Sequence, residues 1–290
     1  MKKLGRNDAC WCGSQKKYKH CHEAFDEKLE EAARAGHFIP SHDMIKTPEQ
    51  LEGIRESCKI NIAVLDYVAE HIHAGVTTEE IDKWVYDETT KRGGIPAPLG
   101  YQGFPKSVCT SIDDQVCHGI PSEDVVLKDG DIINVDVSTI YKGYYSDSSR
   151  MFCIGEVSPE KKKLVDVVKE CVELGLEQVK PWGFLGDMAH AVNEHAVKNG
   201  CSVVREIGGH GVGLEFHEEP WVGYIGEPRT GMMMAPGMVF TIEPMVNMGG
   251  CEVYVDDSDG WGVYTEDGKP SAQWEIMVLV TETGHEVLCW

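Results

Sequence analysis

The chain has 290 residues, 42% of them apolar, and its 27 Lys and Arg stand against 48 Asp and Glu for a formal charge of −21. Length and apolar content suit one large domain plus an accessory segment, and the acidic balance argues against DNA binding through a broad positive surface. No stretch approaches the roughly 20 apolar residues of a bilayer span, MKKLGRND has no apolar targeting core, and the odd total of eleven cysteines includes eight that are scattered singly, so a soluble, reduced, cytoplasmic protein is expected.

The charge is unevenly distributed. Residues 1 to 22 hold Lys2, Lys3, Arg6, Lys16, Lys17 and Lys19 against the single acid Asp8. Within them CWCGSQKKYKHCH brings Cys10, Cys12, Cys21 and His22 into thirteen residues, with Gly13 supplying a turn. Three thiols and an imidazole suit a closed tetrahedral zinc site, and so short a segment needs such a staple; surface cysteine pairs without metal are the alternative. RNDACWCGSQKKYKHCH resembles the SEC-C zinc motif over about residues 5 to 22. The resemblance implies a structural zinc on those four residues and docking to a macromolecule. Lys16, Lys17 and Lys19 with Tyr18 suit a phosphate or an acidic partner, or form a merely solvated face. EAFDEKLEEAARAG then reads as a connecting helix closed by Gly36 and followed by Pro40. The expected division is a zinc motif over 1–23, a helical linker over 24–42 and a main domain over 43–290.

Thr47-Pro48-Glu49-Gln50 forms a capping box with proline at the first helical position, and Leu51, Ile54, Cys58, Ile62, Leu65 and Ala69 follow at helical spacing. Thr77 with Glu80 caps a second helix running to Arg92. Strand-like segments succeed it. Ser158-Pro159-Glu160 then opens another long helix ending near Pro181, Asp187 begins a shorter one, and strands again follow. The repeated order predicts an α/β (α+β) fold of two similar halves facing each other across a cleft.

Several strands carry acids where apolar residues belong. In GDIINVDVSTIYKGYYSDSSRMF, Asp136 and Asp147 are nearly symmetric about a turn at Tyr141-Lys142-Gly143, so a hairpin would set them facing each other. Like charges about 5 Å apart are destabilising unless a cation lies between them. GGHGVG presents His210 among glycines, FTIEPM puts Glu243 in an apolar strand before a proline, and SAQWEIMVLV puts Glu275 in another. Four carboxylates and one imidazole suit two divalent ions such as Fe, Mn, Co or Zn, which would offset a burial cost of several kcal/mol per charge.

GFPKSVCTS, VCHGIP, NVDV, SDSSRMF, GGHGVG, FHEEP, FTIEP and SAQWE, in this order, closely resemble type I methionine aminopeptidases, metallopeptidases of pita-bread fold in family M24. The resemblance covers about residues 43 to 290. It implies two pseudo-symmetric halves with antiparallel sheet, and removal of the N-terminal methionine of nascent proteins and peptides that have a small second residue. By it Asp136 binds one metal, Asp147 and Glu275 bridge both, and His210 and Glu243 bind the other. A bridging hydroxide is the implied nucleophile and Glu243 the proton carrier. His118 and His217 hold substrate and the developing oxyanion, and Tyr101, Phe104, Cys109, Phe216 and Trp261 line an apolar pocket, although composition alone would make them core. Ile276 and Met277 stand where His and Thr are common, and Pro98 where Cys is common. An X-Pro aminopeptidase or prolidase is the enzymatic alternative, less suited to the 40 or so residues before the main domain. A non-catalytic ribosome-associated protein on the same fold is the other, and it would be expected to have lost a ligand. The zinc motif is expected to bring the enzyme to a macromolecule, the ribosome near the nascent-chain exit being the proposed one, with no membrane partner.

Overall fold

The computed structural model describes residues 4–290; Lys2 and Lys3 of the basic segment lie outside the described residues. Helix α1 (Glu23–Arg34) ends where Gly36 takes the left-handed φ of 89°. It is more than a connector, because Leu29 and Ala32 are buried in the main core and Phe25 packs on Trp182. Helix α2 (Pro48–His71) starts at the predicted box: Gln50 N donates to the Thr47 hydroxyl (3.3 Å) and Thr47 N to the Gln50 side chain (2.7 Å). Such a cap is worth about 1 kcal/mol. Ile54, Cys58 and Leu65 are buried as their spacing predicts, but Ala69 is exposed and Ile60, Val64 and Val68 are buried too, since α2 lies between a sheet and α3 (Thr78–Lys91). The Thr77–Glu80 box opens α3.

Strands β1 (Ile95–Pro96), β2 (Cys109–Ile112), β3 (Gln115–Cys117), β4 (Ile132–Tyr141) and β5 (Tyr144–Cys153) follow. The β4–β5 hairpin turns on Lys142 and Gly143, both with positive φ (52° and 83°), the backbone of a tight turn whose twist matches its strands. Helix α4 (Pro159–Gln178) is capped by Ser158 as expected. Helix α5 (Leu185–Lys198) begins two residues before the Asp187 predicted to start it; Asp187 sits in the first turn and accepts the Phe184 N–H (3.1 Å).

The remaining strands are β6 (Ser202–Val203), β7 (Gly209–Gly211), β8 (Glu218–Val222), β9 (Val239–Ile242), β10 (Met245–Asn247), β11 (Val253–Val255), β12 (Val263–Thr265), β13 (Ser271–Gln273), β14 (Ile276–Val280) and β15 (His285–Cys289). The sheet of the first half has the order β1-β4-β2, with β5 also paired to β4, and the largest sheet of the second half runs β15-β14-β9-β7-β8. Every pairing in them is antiparallel. One core fills the space under α2 and α3, and a larger one lies under α4 and α5, so each half buries its own helix pair on its own sheet. Among the described residues no helix is long and apolar enough to cross a membrane.

Candidate metal centres and the cleft between the halves

The hairpin delivers the first two acids, but not face to face. Asp136 pairs with Ser149 and Asp147 with Ser138, a diagonal on one face of the ladder. The offset moves the like charges apart. Ser138 then donates its hydroxyl to Asp147 Oδ1 at 2.7 Å.

Glu243 and Glu275 come from a different device. SAQWEIMVLV is not one strand: β13 and β14 belong to different sheets, with Trp274 and Glu275 between them. Glu243 likewise follows the end of β9 instead of lying within it, and Pro244 separates β9 from β10. Ile242 opposes Ile276 before this break and Met245 opposes Gln273 after it, which sets Glu243 opposite Glu275 at the crossing. The freed backbone groups find other partners. Glu275 exchanges both its hydrogen bonds with Ser149 of β5, tying the second half to the first, and Glu243 N donates to the Tyr224 hydroxyl at 2.6 Å.

His210 is fixed by its own backbone. Its Nδ1–H donates to the Gly211 carbonyl at 2.9 Å, which leaves the Nε2 lone pair directed at Asp147 Oδ2 and Glu243 Oε1, each 3.6 Å away. That is too long for a hydrogen bond and suited to sharing a cation. Ligand atoms of Asp147, His210 and Glu275 all lie within 4.8 Å of one another.

Electrostatics give the same answer. Burial pushes Asp136 up to about 7 and Glu243 up to about 8. Burial first, and then their neighbours' charges, raise Asp147 and Glu275 well above the usual carboxylate range. Asp136 Oδ1 and Glu275 Oε2 are buried without a hydrogen-bond partner. Oxygens desolvated and unpaired in this way fit divalent cations.

Two side chains orient the Glu243 carboxylate. Thr241 donates to Glu243 Oε1 (2.6 Å) and accepts from His210 N (3.0 Å), and Gln273 Nε2 donates to Glu243 Oε2 (3.1 Å). Gln273 stands two residues before Glu275, the spacing that alternation along a strand would put on one face. Thr241 has the same signal two residues before Glu243, whereas Tyr224 has none. Met277, two residues after Glu275, opposes Thr241 and packs at 3.7 Å against Cys58 in an apolar cluster.

A cavity of about 660 Å³ opens over these groups, and all the residues predicted for the site line it: the five above with His118, His217, Tyr101, Phe104, Cys109, Phe216 and Trp261. Pro98, Ser138, Glu218 and Trp221 line it as well. Phe104 meets Trp261 edge-on at 5.1 Å, and Tyr101 meets Phe216 at 4.8 Å. Burial pushes the Cys109 thiol well above its usual range, so it is a neutral, apolar wall element. His118 takes a left-handed φ of 57°, and burial holds its ring neutral. His217 exposes one edge while its ring packs 4.3 Å from that of His210; Nδ1 pairs with the Tyr101 hydroxyl at 3.0 Å, and desolvation with the two nearby imidazoles depresses its protonation.

At the N-terminus, Cys10 Sγ and Cys21 Sγ lie 3.1 and 3.2 Å from His22 Nδ1, and Cys12 Sγ lies 3.5 Å from Cys21 Sγ. A tetrahedral zinc ion needs edges of roughly 3.5–3.8 Å, so the four atoms fit with slight expansion. The motif is clamped to the body. Buried Asp26 accepts from Trp11 Nε1 (3.1 Å), Tyr18 (2.8 Å) and His42 (2.9 Å), and Trp11 stacks on His42 at 3.9 Å.

Sequence comparison matches residues 52–282 to "Metallopeptidase family M24" and residues 6–24 to the "SEC-C motif". A protein named methionine aminopeptidase from Chlamydia pneumoniae is 44% identical over 288 residues, 98% of each chain, so the alignment extends through the N-terminal motif. Methionine aminopeptidase A of Synechocystis is 48% identical over 82% of this chain and 94% of its own. The crystal structure of methionine aminopeptidase from Rickettsia prowazekii superposes with a TM-score of 0.83 at 41% identity, covering 85% of this chain and 99% of that one.

Proposed function

Because the chain belongs to metallopeptidase family M24, among its methionine aminopeptidases, we propose that it removes the initiator methionine from nascent proteins and peptides whose second residue is small. One observation carries the reading: buried Asp147, Glu243 and Glu275, with half-buried Asp136 and His210, form the floor of a cavity whose wall is aromatic and thiol side chains. Divalent metal use follows from the family, and Asp136, Asp147, His210, Glu243 and Glu275 are the residues that would hold two such ions. When bound, such ions polarise a carbonyl and activate water at neutral pH.

The side chains supply the rest. Glu243, gripped by Thr241 and Gln273, carries a proton from the attacking water to the departing amide nitrogen. His118 and His217 are held neutral, so each offers an N–H to the scissile carbonyl as its charge develops. The Tyr101 hydroxyl engages His217 Nδ1, which leaves Nε2 for the substrate. Tyr101, Phe104, Cys109, Phe216 and Trp261 take the unbranched thioether side chain.

In the same reading, the catalytic unit spans residues 43–290, with the zinc motif over 1–23 and the helical linker over 24–42. Cys10, Cys12, Cys21 and His22 hold a structural zinc, and exposed Lys16 and Lys17 bring the enzyme to the ribosome in the cytoplasm. The test of activity is release of methionine from Met-Ala-Ser with Fe(II), Mn(II) or Co(II), without release of alanine from Ala-Pro-Ala. Alanine release would favour the X-Pro alternative. Inactivity with all three metals would favour a binding protein.

A further inference from the structure

Lys46, the residue before the cap of α2, has a side chain only 1% exposed, and its ammonium donates to Glu218 Oε2, next in sequence to His217. Burying a lysine is costly unless the charge is paired, and the pairing here has a visible consequence. The other oxygen, Glu218 Oε1, accepts the backbone N–H groups of Leu214 (2.6 Å) and Glu215 (2.9 Å), so the carboxylate closes residues 214–218 into a loop. The loop fits tightly: a Cβ on Gly213 would meet Ile54 at 2.6 Å. Lys46 is itself anchored, its N–H donating to the Gly237 carbonyl at 2.9 Å while Ile45 bridges Met238.

We infer that Lys46 is a positioning residue: its buried ammonium orients Glu218 as a staple across two backbone N–H groups and thereby sets Phe216 and His217 in the cleft. The kinetic consequence rests on the assignment of His217 to the substrate; the structural one does not.

Three variants test it by hydrogen exchange of the 211–219 segment, turnover of Met-Ala-Ser, and bound metal. Lys46→Met should speed exchange of the Leu214 and Glu215 amides about tenfold, lower kcat about 10- to 100-fold and leave the metal count unchanged. Lys46→Met/Glu218→Gln removes both buried charges but keeps an acceptor for the two N–H groups, and should recover protection and most turnover. Lys46→Met/Glu218→Leu removes the acceptor as well and should recover neither. Should the single variant fail to fold, the contrast between the two doubles decides. Equal protection in both doubles, or wild-type exchange in Lys46→Met, overturns the staple. Slow exchange that is lost and restored as described, in a protein without aminopeptidase activity, would uphold the staple and refute only the function.

Discussion

Glu243 and Glu275 oppose each other at a point where two paired strands both leave their sheet, and Glu275 there takes its backbone partners from Ser149, the residue opposite Asp136. The joint between the two halves is therefore also where the acids converge. Sheet hydrogen bonding, interrupted at this crossing, lets two carboxylates turn into the cleft while apolar neighbours on both sides continue into the core.

Replacing either Glu243 by Gln or Asp147 by Asn should lower turnover by at least about 100-fold with the far-ultraviolet spectrum unchanged. Stripped of metal at pH 8, both variants should melt no lower than the stripped wild type, because each removes a buried charge without changing shape. Circular dichroism melts and Met-Ala-Ser assays check both. Near-normal rates in either variant would remove that residue from the site.

The metal-free protein should lose stability as pH rises. Asp136 and Glu243 have folded-state values of about 7 and 8, above the ordinary carboxylate values of the unfolded chain. The folded state then binds more protons than the unfolded one, so the stabilisation is complete below pH ~4 and is lost on passing through pH 7 to 8. Urea midpoints with EDTA should fall between pH 6 and 8.5. Added Mn(II) should restore most at the higher pH, and a midpoint gap that does not widen with pH contradicts the assignment.

Tyr224→Phe deletes the acceptor of the Glu243 N–H and should cost about 1–3 kcal/mol for the unsatisfied group. Because that N–H lies at the crossing, kcat should fall more than KM changes. Steady-state kinetics beside urea denaturation separate the two effects, and unchanged kcat would show that Pro244 and the strands alone hold the break.

Removing residues 1–40 should preserve turnover of Met-Ala-Ser, since no cavity-lining residue is lost. Burial of Leu29 and packing of Phe25 on Trp182 mean that stability should fall, with Leu29 alone contributing about 2 kcal/mol. The same truncation should abolish co-sedimentation with ribosomes. Unchanged co-sedimentation would refute the ribosome assignment.

The acids were legible in the sequence because charge inside an apolar strand is anomalous by itself, and the capping boxes because their partners are three residues apart. The strand break at Trp274-Glu275 was not legible: SAQ and IMVLV alternate identically whether they form one strand or two. The diagonal of Asp136 and Asp147 depended on which residues flank the turn, a one-residue matter. Nothing local marks Tyr224 or Lys46, because their partners lie 19 and 172 residues away and only the fold brings them together.

The most direct test is anomalous X-ray scattering, at the Mn, Fe, Co and Zn absorption edges, from crystals of enzyme purified without chelator. Two peaks are expected among Asp136, Asp147, His210, Glu243 and Glu275, and a zinc peak among Cys10, Cys12, Cys21 and His22. A fully active enzyme whose crystals show no peak in the cleft, or peaks bound by other residues, would contradict this assignment.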